Sequence, residues 1–246
     1  MGGLLIRYLR MEKCVEEKRN IAAVFDLDGT LFTGHFWNGV VKHHIKHRVK
    51  MLQLSLYLVT HMHLWLLSKF RVLSEETCRV KWGEDLAIMF KGISREEGLN
   101  VFRWISNNYV MKLIRPDVMA LLQQHKNQGH IIILLSGSFS DFLGTIKESL
   151  SADYIVGTKL EIINGSYSGR IVKPSCLGKN KARLLKEFIT QAELDIDLDL
   201  SFAYADSLFD TPVLEMVGNP VATYPERELL KLAQDRGWQI LPQMKL

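Results

Sequence analysis

Residues 21–30 read IAAVFDLDGT, and this stretch decides the fold of the chain. Its apolar beginning is rich in residues that favour β-structure, and it ends at two carboxylates, Asp26 and Asp28, followed by Gly29-Thr30. The pattern predicts a short buried strand that stops at a functional loop. In an open parallel sheet, ligands bind beyond the carboxyl ends of the strands, so this loop is the first candidate for a site.

The sequence on either side of this strand predicts an α/β protein. Residues 33–115 have helical character without a comparable strand pattern, and Ser94 to Glu97 forms a capping box before one apolar stretch. Strand and helix patterns then alternate: a helix from Pro116, a strand over 130–136, a helix over 141–150, a hairpin at Asn164-Gly165, a helix from about Lys181, and strands over 200–206, 219–224 and 238–241, with a helix over 227–237 between the last two.

This alternation predicts a doubly wound, mostly parallel sheet with a helical insertion after its first strand. We therefore expect a core formed by residues 1–32 and 116–246 and a helical cap formed by residues 33–115.

The composition fits a globular chain with a sizeable core. Of its 246 residues, 47% are hydrophobic and 24% are charged, which excludes disordered, collagen-like and disulfide-scaffold proteins. Cys14, Cys78 and Cys176 are odd in number and far apart, so we expect a reducing cytoplasm and no cysteine zinc site. The first twenty residues lack the pattern of a signal peptide, and Ile6 breaks the myristoylation pattern.

Charge is unevenly distributed along the chain. Residues 33–115 contain 13 Lys and Arg against 6 Asp and Glu, a net charge of +7, whereas the rest of the chain has a net charge of −3. No acidic residue occurs from Gly29 to Ser74, a stretch that contains six basic ones: Lys42, Lys46, Arg48, Lys50, Lys69 and Arg71. A basic insertion on an acidic body suits an anionic substrate or an anionic surface.

The apolar run from Met51 to Ser68 has no formally charged residue and is flanked by basic ones. It allows a membrane-spanning helix, an interfacial helix or a helix packed within a soluble cap. We expect packing within the cap, because Gln53, Thr60, His61 and His63 interrupt a lipid-facing surface. Peripheral membrane contact stays open.

Reactive side chains stand at the ends of three predicted strands. Asp26 and Asp28 end the first, Ser136-Gly137-Ser138 ends the second, and Asp206 to Asp210 follows a later one. A turn containing Lys179 and Lys181 precedes the helix before that last strand. Clustered carboxylates repel one another unless they share a proton or a divalent cation, and Mg²⁺ prefers oxygen ligands and phosphates. This set of groups predicts phosphoryl chemistry.

In these motifs and their order, the chain resembles the haloacid dehalogenase superfamily of phosphohydrolases. The signatures are DLDGT at Asp26, the strand-end Ser136, a lysine near 181, and AYADSLFD, which contains Asp206 and Asp210. The resemblance covers residues 20 to 242, and the C-terminal part looks like the phosphoserine-phosphatase-like branch. The resemblance implies a Rossmann-like core, and it implies that the insertion is a cap of the C1 type.

The resemblance also implies a role for each motif residue. Asp26 would be the nucleophile that forms an aspartyl-phosphate, and Asp28 the general acid and base. Mg²⁺ would be held by Asp26, Asp206 and the Asp28 carbonyl, with Asp210 in or just behind that shell. The phosphoryl oxygens would be bound by Ser136, the Gly137 backbone N–H and a lysine, for which the spacing favours Lys181 over Lys179.

One departure concerns the substrate. Phosphoserine phosphatases of this branch carry a glutamate shortly after the first signature, but here His35 stands near that place and the next acidic residue is Glu75. We therefore expect a phosphatase for a small phosphorylated metabolite. The alternatives are a phospholipid headgroup of the phosphatidylglycerophosphate or lysophosphatidate type, a non-catalytic phosphate-binding module, or a phosphotransferase.

The remaining patterns carry little functional signal. His43 and His47 share the spacing of a metal pair, but the cluster that they form with His35, His44, His61 and His63 has no nearby acid or cysteine, so we expect a solvated basic face. No nucleic-acid-binding signature is present, which argues against a nucleic-acid partner. The sequence gives no indication of the oligomeric state.

Overall fold

The computed structural model describes residues 20–70 and 72–242. The predictions for the first nineteen residues, including Cys14, and for Arg71 lie outside these described residues. The described chain forms a seven-stranded sheet in the order β4-β3-β2-β1-β5-β6-β7. The strands are β1 (Ala22–Phe25), β2 (Ile131–Phe139), β3 (Tyr154–Ile163), β4 (Ser166–Val172), β5 (Phe202–Ala205), β6 (Asn219–Thr223) and β7 (Gln239–Leu241).

The sheet is mostly parallel, as the alternating pattern predicts. Every neighbouring pair of strands is parallel except β3 and β4, which form an antiparallel hairpin. Asn164 and Gly165 connect this hairpin with φ of 50° and 78°. Positive φ at both central residues suits a tight hairpin turn, and Asn-Gly tolerates it. The predicted hairpin is confirmed.

Two apolar layers cover the sheet because the side chains of each strand alternate between its faces. On β1, Ala23 and Phe25 pack with one core cluster and Ala22 and Val24 with the other. The first cluster includes residues of α5 (Pro116–Asn127) and α6 (Ser140–Ile146), and the second includes residues of α7 (Lys179–Gln191), α8 (Thr211–Leu214) and α9 (Arg227–Arg236). This arrangement is the predicted doubly wound α/β fold.

The segment between β1 and β2 is helical. It contains α1 (Phe36–His47), α2 (Met51–Lys69), α3 (Glu75–Asp85) and α4 (Arg95–Ile105), with short 3₁₀ and π turns at Leu86–Phe90 and Ser106–Val110. The predicted capping box forms at the start of α4, where Ser94 and Glu97 satisfy each other's backbone N–H groups. The segment packs against the sheet face that carries Phe25, through residues such as Phe36 and Phe102.

The helix α2 differs from the expectation that its apolar run packs within a cap. Only Leu54, Tyr57 and His61 of this helix are buried. Most of its large apolar side chains face solvent: Met51, Leu52, Leu56, Val59, Met62, Trp65, Leu66 and Leu67. Within the described residues, no helix is both long and apolar enough to cross a membrane.

The expectation of a solvated histidine face is wrong for three of the histidines. His43, His44 and His61 are buried. The His43 ring packs 5.1 Å from the Trp104 ring, and the His44 Nδ1 lies 2.9 Å from the Val40 carbonyl oxygen of its own helix. These imidazoles serve as packing groups, because aromatic neighbours from α4 and α3 cover the faces that the sequence alone leaves open.

Candidate active site

The ends of the adjacent strands β1 and β5 bring three carboxylates together. Asp26 follows β1 directly, Asp206 follows β5 directly, and Asp210 lies in the short 3₁₀ turn that comes next. Each offers an oxygen, and these oxygens lie within 4.8 Å of one another. Residues about 180 positions apart thus meet at one edge of the sheet, as parallel strands require.

Lys181 supplies the positive charge of this cluster. Its Nζ lies 2.6 Å from the Oδ1 atoms of both Asp26 and Asp210, and the residue is only 5% exposed. Burial opposes the charged ammonium, but the Asp210 and Asp26 carboxylates outweigh it and raise the pKa of Lys181 above its ordinary value. Lys179, two residues earlier on α7, is exposed to solvent. Lys181 is therefore the lysine that the fold directs into the site.

Asp28 faces a different direction from the other carboxylates. Its Oδ1 accepts a hydrogen bond of 3.1 Å from the backbone N–H of Phe36, the first residue of α1. Burial and the nearby Asp26 charge raise the pKa of Asp28 to about 7. A carboxyl group with this pKa holds a proton over part of the neutral range, as a general acid requires.

Gly29 makes room for Asp206. Its φ of 79° lies in the left-handed region, and a Cβ there would come within 2.1 Å of the Asp206 Oδ2. Only glycine fits at this position. The Thr30 hydroxyl lies between the carboxylates, 3.4 Å from Asp26 Oδ2 and 3.3 Å from Asp206 Oδ1. Thus the DLDGT loop supplies a carboxylate, the space beside it and a hydroxyl.

The segment around Ser136 lies within strand β2 and does not terminate it. β2 was expected to stop at Ser136, but it continues to Phe139, with an irregular register against β3 between Leu135 and Phe139. The Thr158 hydroxyl donates to the Gly137 carbonyl at 2.8 Å, and the Ser138 N–H donates to Ser136 Oγ at 3.1 Å. The buried Ser138 side chain lies beside the Asp28 carboxylate and opposes the rise in the pKa of Asp28.

The donor set of the cluster fits a hard divalent cation. Burial and the charges of Asp26 and Asp210 raise the pKa of Asp206 to about 8, and burial raises the pKa of Asp210 to about 6 despite Lys181. Three carboxylates are grouped here beside one ammonium, and a cation with oxygen ligands would relieve the repulsion between them. The Asp28 carboxylate is not part of this group of three.

A cleft of about 670 Å³ lies above these groups. Its floor contains Asp26, Asp28, Lys181 and the segment around Ser136, and its other walls come from the helical segment, with His35, Trp37, Trp65, Glu75, Glu76 and Arg79. The sequence shows no acidic residue near His35, but the fold places Glu75 and Glu76 in the lining of the cleft. Burial and the Arg79 charge lower the pKa of His35.

Arg79 of α3 joins the helical segment to the core beside the cleft. It donates to Glu226 Oε2 at 3.1 Å and to Ser207 Oγ at 3.3 Å, and its guanidinium lies 4.7 Å from the centre of the Phe209 ring. No local sequence pattern indicates this contact, because Arg79 and Glu226 are 147 positions apart. Ser138 was visible in the SGS motif, but no role was assigned to it.

Comparisons with known proteins identify the family of the chain. The family model for the haloacid dehalogenase-like hydrolases matches residues 23–215. A phosphoserine phosphatase of Mycobacterium tuberculosis is 29% identical over 226 residues, covering 89% of this chain and 70% of that protein. A probable phosphatase of the same organism is 32% identical over 143 residues, covering 56% of this chain and 49% of that protein.

Solved structures share the fold. A Bordetella pertussis protein of unknown function has a TM-score of 0.77 at 21% identity, covering 92% of this chain and all of that one. A substrate-bound phosphoserine phosphatase has a TM-score of 0.59 at 17% identity, covering 87% of this chain and 91% of that one. With the family match spanning most of the chain and phosphatases among its relatives, this protein belongs to the haloacid dehalogenase-like hydrolases and is a phosphatase.

Proposed function

We propose that this protein is a Mg²⁺-dependent phosphomonoester hydrolase that acts through an aspartyl-phosphate on Asp26. The observation that carries this proposal is the position of the Asp26 carboxylate on the cleft floor, 2.6 Å from Lys181 and grouped with Asp206 and Asp210. A nucleophile at this place has a cation beside it to balance the charge of an incoming phosphate.

In this mechanism Asp26 attacks phosphorus and Asp28 transfers the protons. Asp28 protonates the leaving oxygen, and its carboxylate then activates the water that hydrolyses the phosphorylated Asp26. Its raised pKa suits the first role, and the hydrogen bond from the Phe36 N–H orients the side chain.

The phosphoryl oxygens are held by groups at the floor of the cleft. Ser136, the Gly137 N–H and Lys181 are the proposed donors, and all three residues line the cleft. Asp26, Asp206, Asp210 and the Asp28 carbonyl would hold Mg²⁺, which when bound neutralises charge on the phosphoryl group.

Substrate selection belongs to the helical segment in this proposal. Residues 33–115 act as a cap over a core formed by residues 1–32 and 116–246, and the cleft between them takes a small phosphorylated group. Glu75 and Glu76 offer carboxylates to a cationic group of a substrate, which keeps a phosphoserine-like substrate among the candidates.

The free thiols Cys78 and Cys176 support a cytoplasmic location.

Asp26→Asn tests the covalent mechanism. The change keeps the shape of the side chain but removes the attacking charge, so we expect phosphate release from p-nitrophenyl phosphate to fall at least about 10³-fold. Asp235→Asn, on the exposed face of α9, is the matched control and should keep full activity. Circular dichroism should show an intact fold for both. Residual Asp26→Asn activity within about tenfold of the parent would contradict the covalent step.

Removal of the metal tests the second part of the proposal. Chelation should abolish turnover and added Mg²⁺ should restore it, whereas Ca²⁺, which takes more ligands at longer distances, should support turnover poorly. Phosphate release that persists after exhaustive chelation would show that the carboxylate cluster works without a metal.

A further inference from the structure

The outward surface of α2 is mostly apolar. We define the α2 apolar face as Leu52, Leu56, Val59, Leu66 and Phe70, a set whose spacing of three, four and seven residues places them on one side of the helix. Leu52 is 70% exposed, Val59 59% and Phe70 76%. A contiguous exposed patch of this kind is unusual in a monomeric soluble protein and marks an interaction surface.

The polar residues of α2 interrupt this face less than the sequence indicates. The Thr60 hydroxyl donates to the Leu56 carbonyl at 2.8 Å, so it needs no partner from outside its helix. His61 is buried on the opposite side, between Tyr57 and Trp82. Gln53, Ser55 and His63 remain as exposed polar side chains, and His63 lies within the apolar stripe, between Val59 and Leu66.

Both ends of the face are basic. Arg48 lies in the turn before α2 and Lys69 is its last residue, whereas the ammonium of Lys50, in the same turn as Arg48, donates to the Lys91 carbonyl oxygen. In the two described ranges, none of these three side chains is in an ion pair with a carboxylate, and no acidic residue occurs from Gly29 to Ser74. Apolar faces with basic ends bind the surface of anionic bilayers, where the cations meet the headgroups.

This charge pattern favours a bilayer over a second copy of the chain. In a twofold dimer through the α2 apolar face, the helices cross with equal patches in contact. The basic ends of one helix would then lie near basic ends of the other, without acidic residues to offset them. An anionic lipid surface has the complementary charge.

The helix that carries the α2 apolar face also forms part of the wall of the active-site cleft, although none of the five residues of the face lines it. Trp65, Ser68 and Lys69, from the last part of the same helix, line the cleft that contains Asp26 and Asp28. A surface seated against the α2 apolar face therefore lies next to one wall of the cleft.

We propose that the α2 apolar face docks on anionic bilayers and brings the cleft to phosphomonoesters held at the membrane surface. The docking stands on the structure of α2 alone, whereas the substrate class rests on the proposed phosphatase function.

Vesicle sedimentation tests the docking. We expect the full-length protein to sediment with vesicles of phosphatidylcholine and phosphatidylglycerol at a 3:1 ratio, and to bind pure phosphatidylcholine vesicles at least about fivefold less. Leu56→Glu with Val59→Glu should lower partitioning at least about tenfold. The matched control is Leu200→Glu, which changes an exposed leucine outside the helical segment. This variant should sediment like the parent.

Two results would overturn the docking. One is a parent protein that stays in the supernatant with the anionic vesicles. The other is a Leu56→Glu/Val59→Glu variant that sediments like the parent. If the unbound parent is a dimer by light scattering and the variant a monomer, the α2 apolar face binds a second copy instead.

The substrate class is tested with phosphatidate in the same vesicles and p-nitrophenyl phosphate in solution. The parent should hydrolyse both, and the Leu56→Glu/Val59→Glu variant should lose at least about tenfold on phosphatidate while keeping its rate on the soluble ester. A parent active only on the soluble ester overturns the substrate class and leaves the phosphatase standing. A parent that binds vesicles but hydrolyses neither ester contradicts the proposed function and leaves the docking standing.

Discussion

At the scale of single residues, the site depends on one buried ammonium among carboxylates. Lys181 has two carboxylate oxygens 2.6 Å from its Nζ, and its side chain and those of both partners are at most 8% exposed. Removing one partner of a buried charge pair leaves the remaining charge uncompensated. Lys181 therefore contributes both to folding and to function. Lys179 lies in the same turn without these contacts, which makes the two lysines a natural comparison.

Lys181→Ala should therefore lower kcat/KM for p-nitrophenyl phosphate by about 10²-fold or more, because a preorganised charge beside the transferring phosphoryl group is lost. Lys179→Ala should stay within about twofold of the parent. Lys181→Arg keeps the charge and separates a functional loss from a folding defect that circular dichroism would report. A larger loss of kcat/KM for Lys179→Ala than for Lys181→Ala would show that Lys179, and not Lys181, binds the phosphoryl group.

At the scale of elements, α3 is held to the core by polar contacts at two of its residues: Arg79 pairs with Glu226 beside the cleft, and Glu84 accepts a hydrogen bond of 2.7 Å from Ser175 Oγ. The Arg79 side chain is 51% exposed, and its partner Glu226 is 28% exposed. Exposed ion pairs of this kind contribute about 0–1 kcal/mol to stability. The main role of the Arg79–Glu226 contact is therefore to position α3 over the cleft, where Trp82 and Arg79 line the wall.

Arg79→Ala should leave the melting temperature within about 2 °C of the parent but lower kcat/KM roughly tenfold, because the cap wall is placed less often over the substrate. Arg95→Ala is a matched control: Arg95 pairs with Asp141 at 2.9 Å with similar exposure, but neither residue lines the cleft. Thermal unfolding and steady-state kinetics measure both effects. Equal losses of kcat/KM in the two variants would show that Arg79 has no specific role in placing the cleft wall.

At the scale of the whole molecule, buried histidines connect stability to pH. Burial lowers the pKa of His43 and of His125 to about 4. In the unfolded chain a histidine has a pKa of about 6.5. Between these values the unfolded state binds more protons than the folded state, so the free energy of unfolding decreases as pH falls from about 6.5 towards 4.

We expect the free energy of unfolding in urea to be about 1–2 kcal/mol lower per buried histidine at pH 5 than at pH 7.5. His43→Gln should reduce this pH dependence, since the titrating group is gone. His63→Gln, at an exposed position of α2, should keep the pH dependence of the parent. If all three proteins show the same difference between the two pH values, the buried histidines do not control acid stability.

Local patterns in the sequence were enough for the sheet, the hairpin and the residues of the cluster. The run that ends at Asp26 forms a buried strand because its apolar residues are most stable in the core. Asn164-Gly165 forms a turn because both residues tolerate positive φ. Knowing that parallel strands present their carboxyl ends together was sufficient to place Asp26 near Asp206.

Only the tertiary structure decided which helical residues are covered. His43 and His61 are buried because aromatic rings from other helices cover them, and the α2 apolar face is exposed because nothing in the described chain packs against it. The contact between Arg79 and Glu226 joins residues 147 positions apart. Periodicity shows that a helix has an apolar side, but burial depends on which distant element reaches that side, and this is a property of the folded chain.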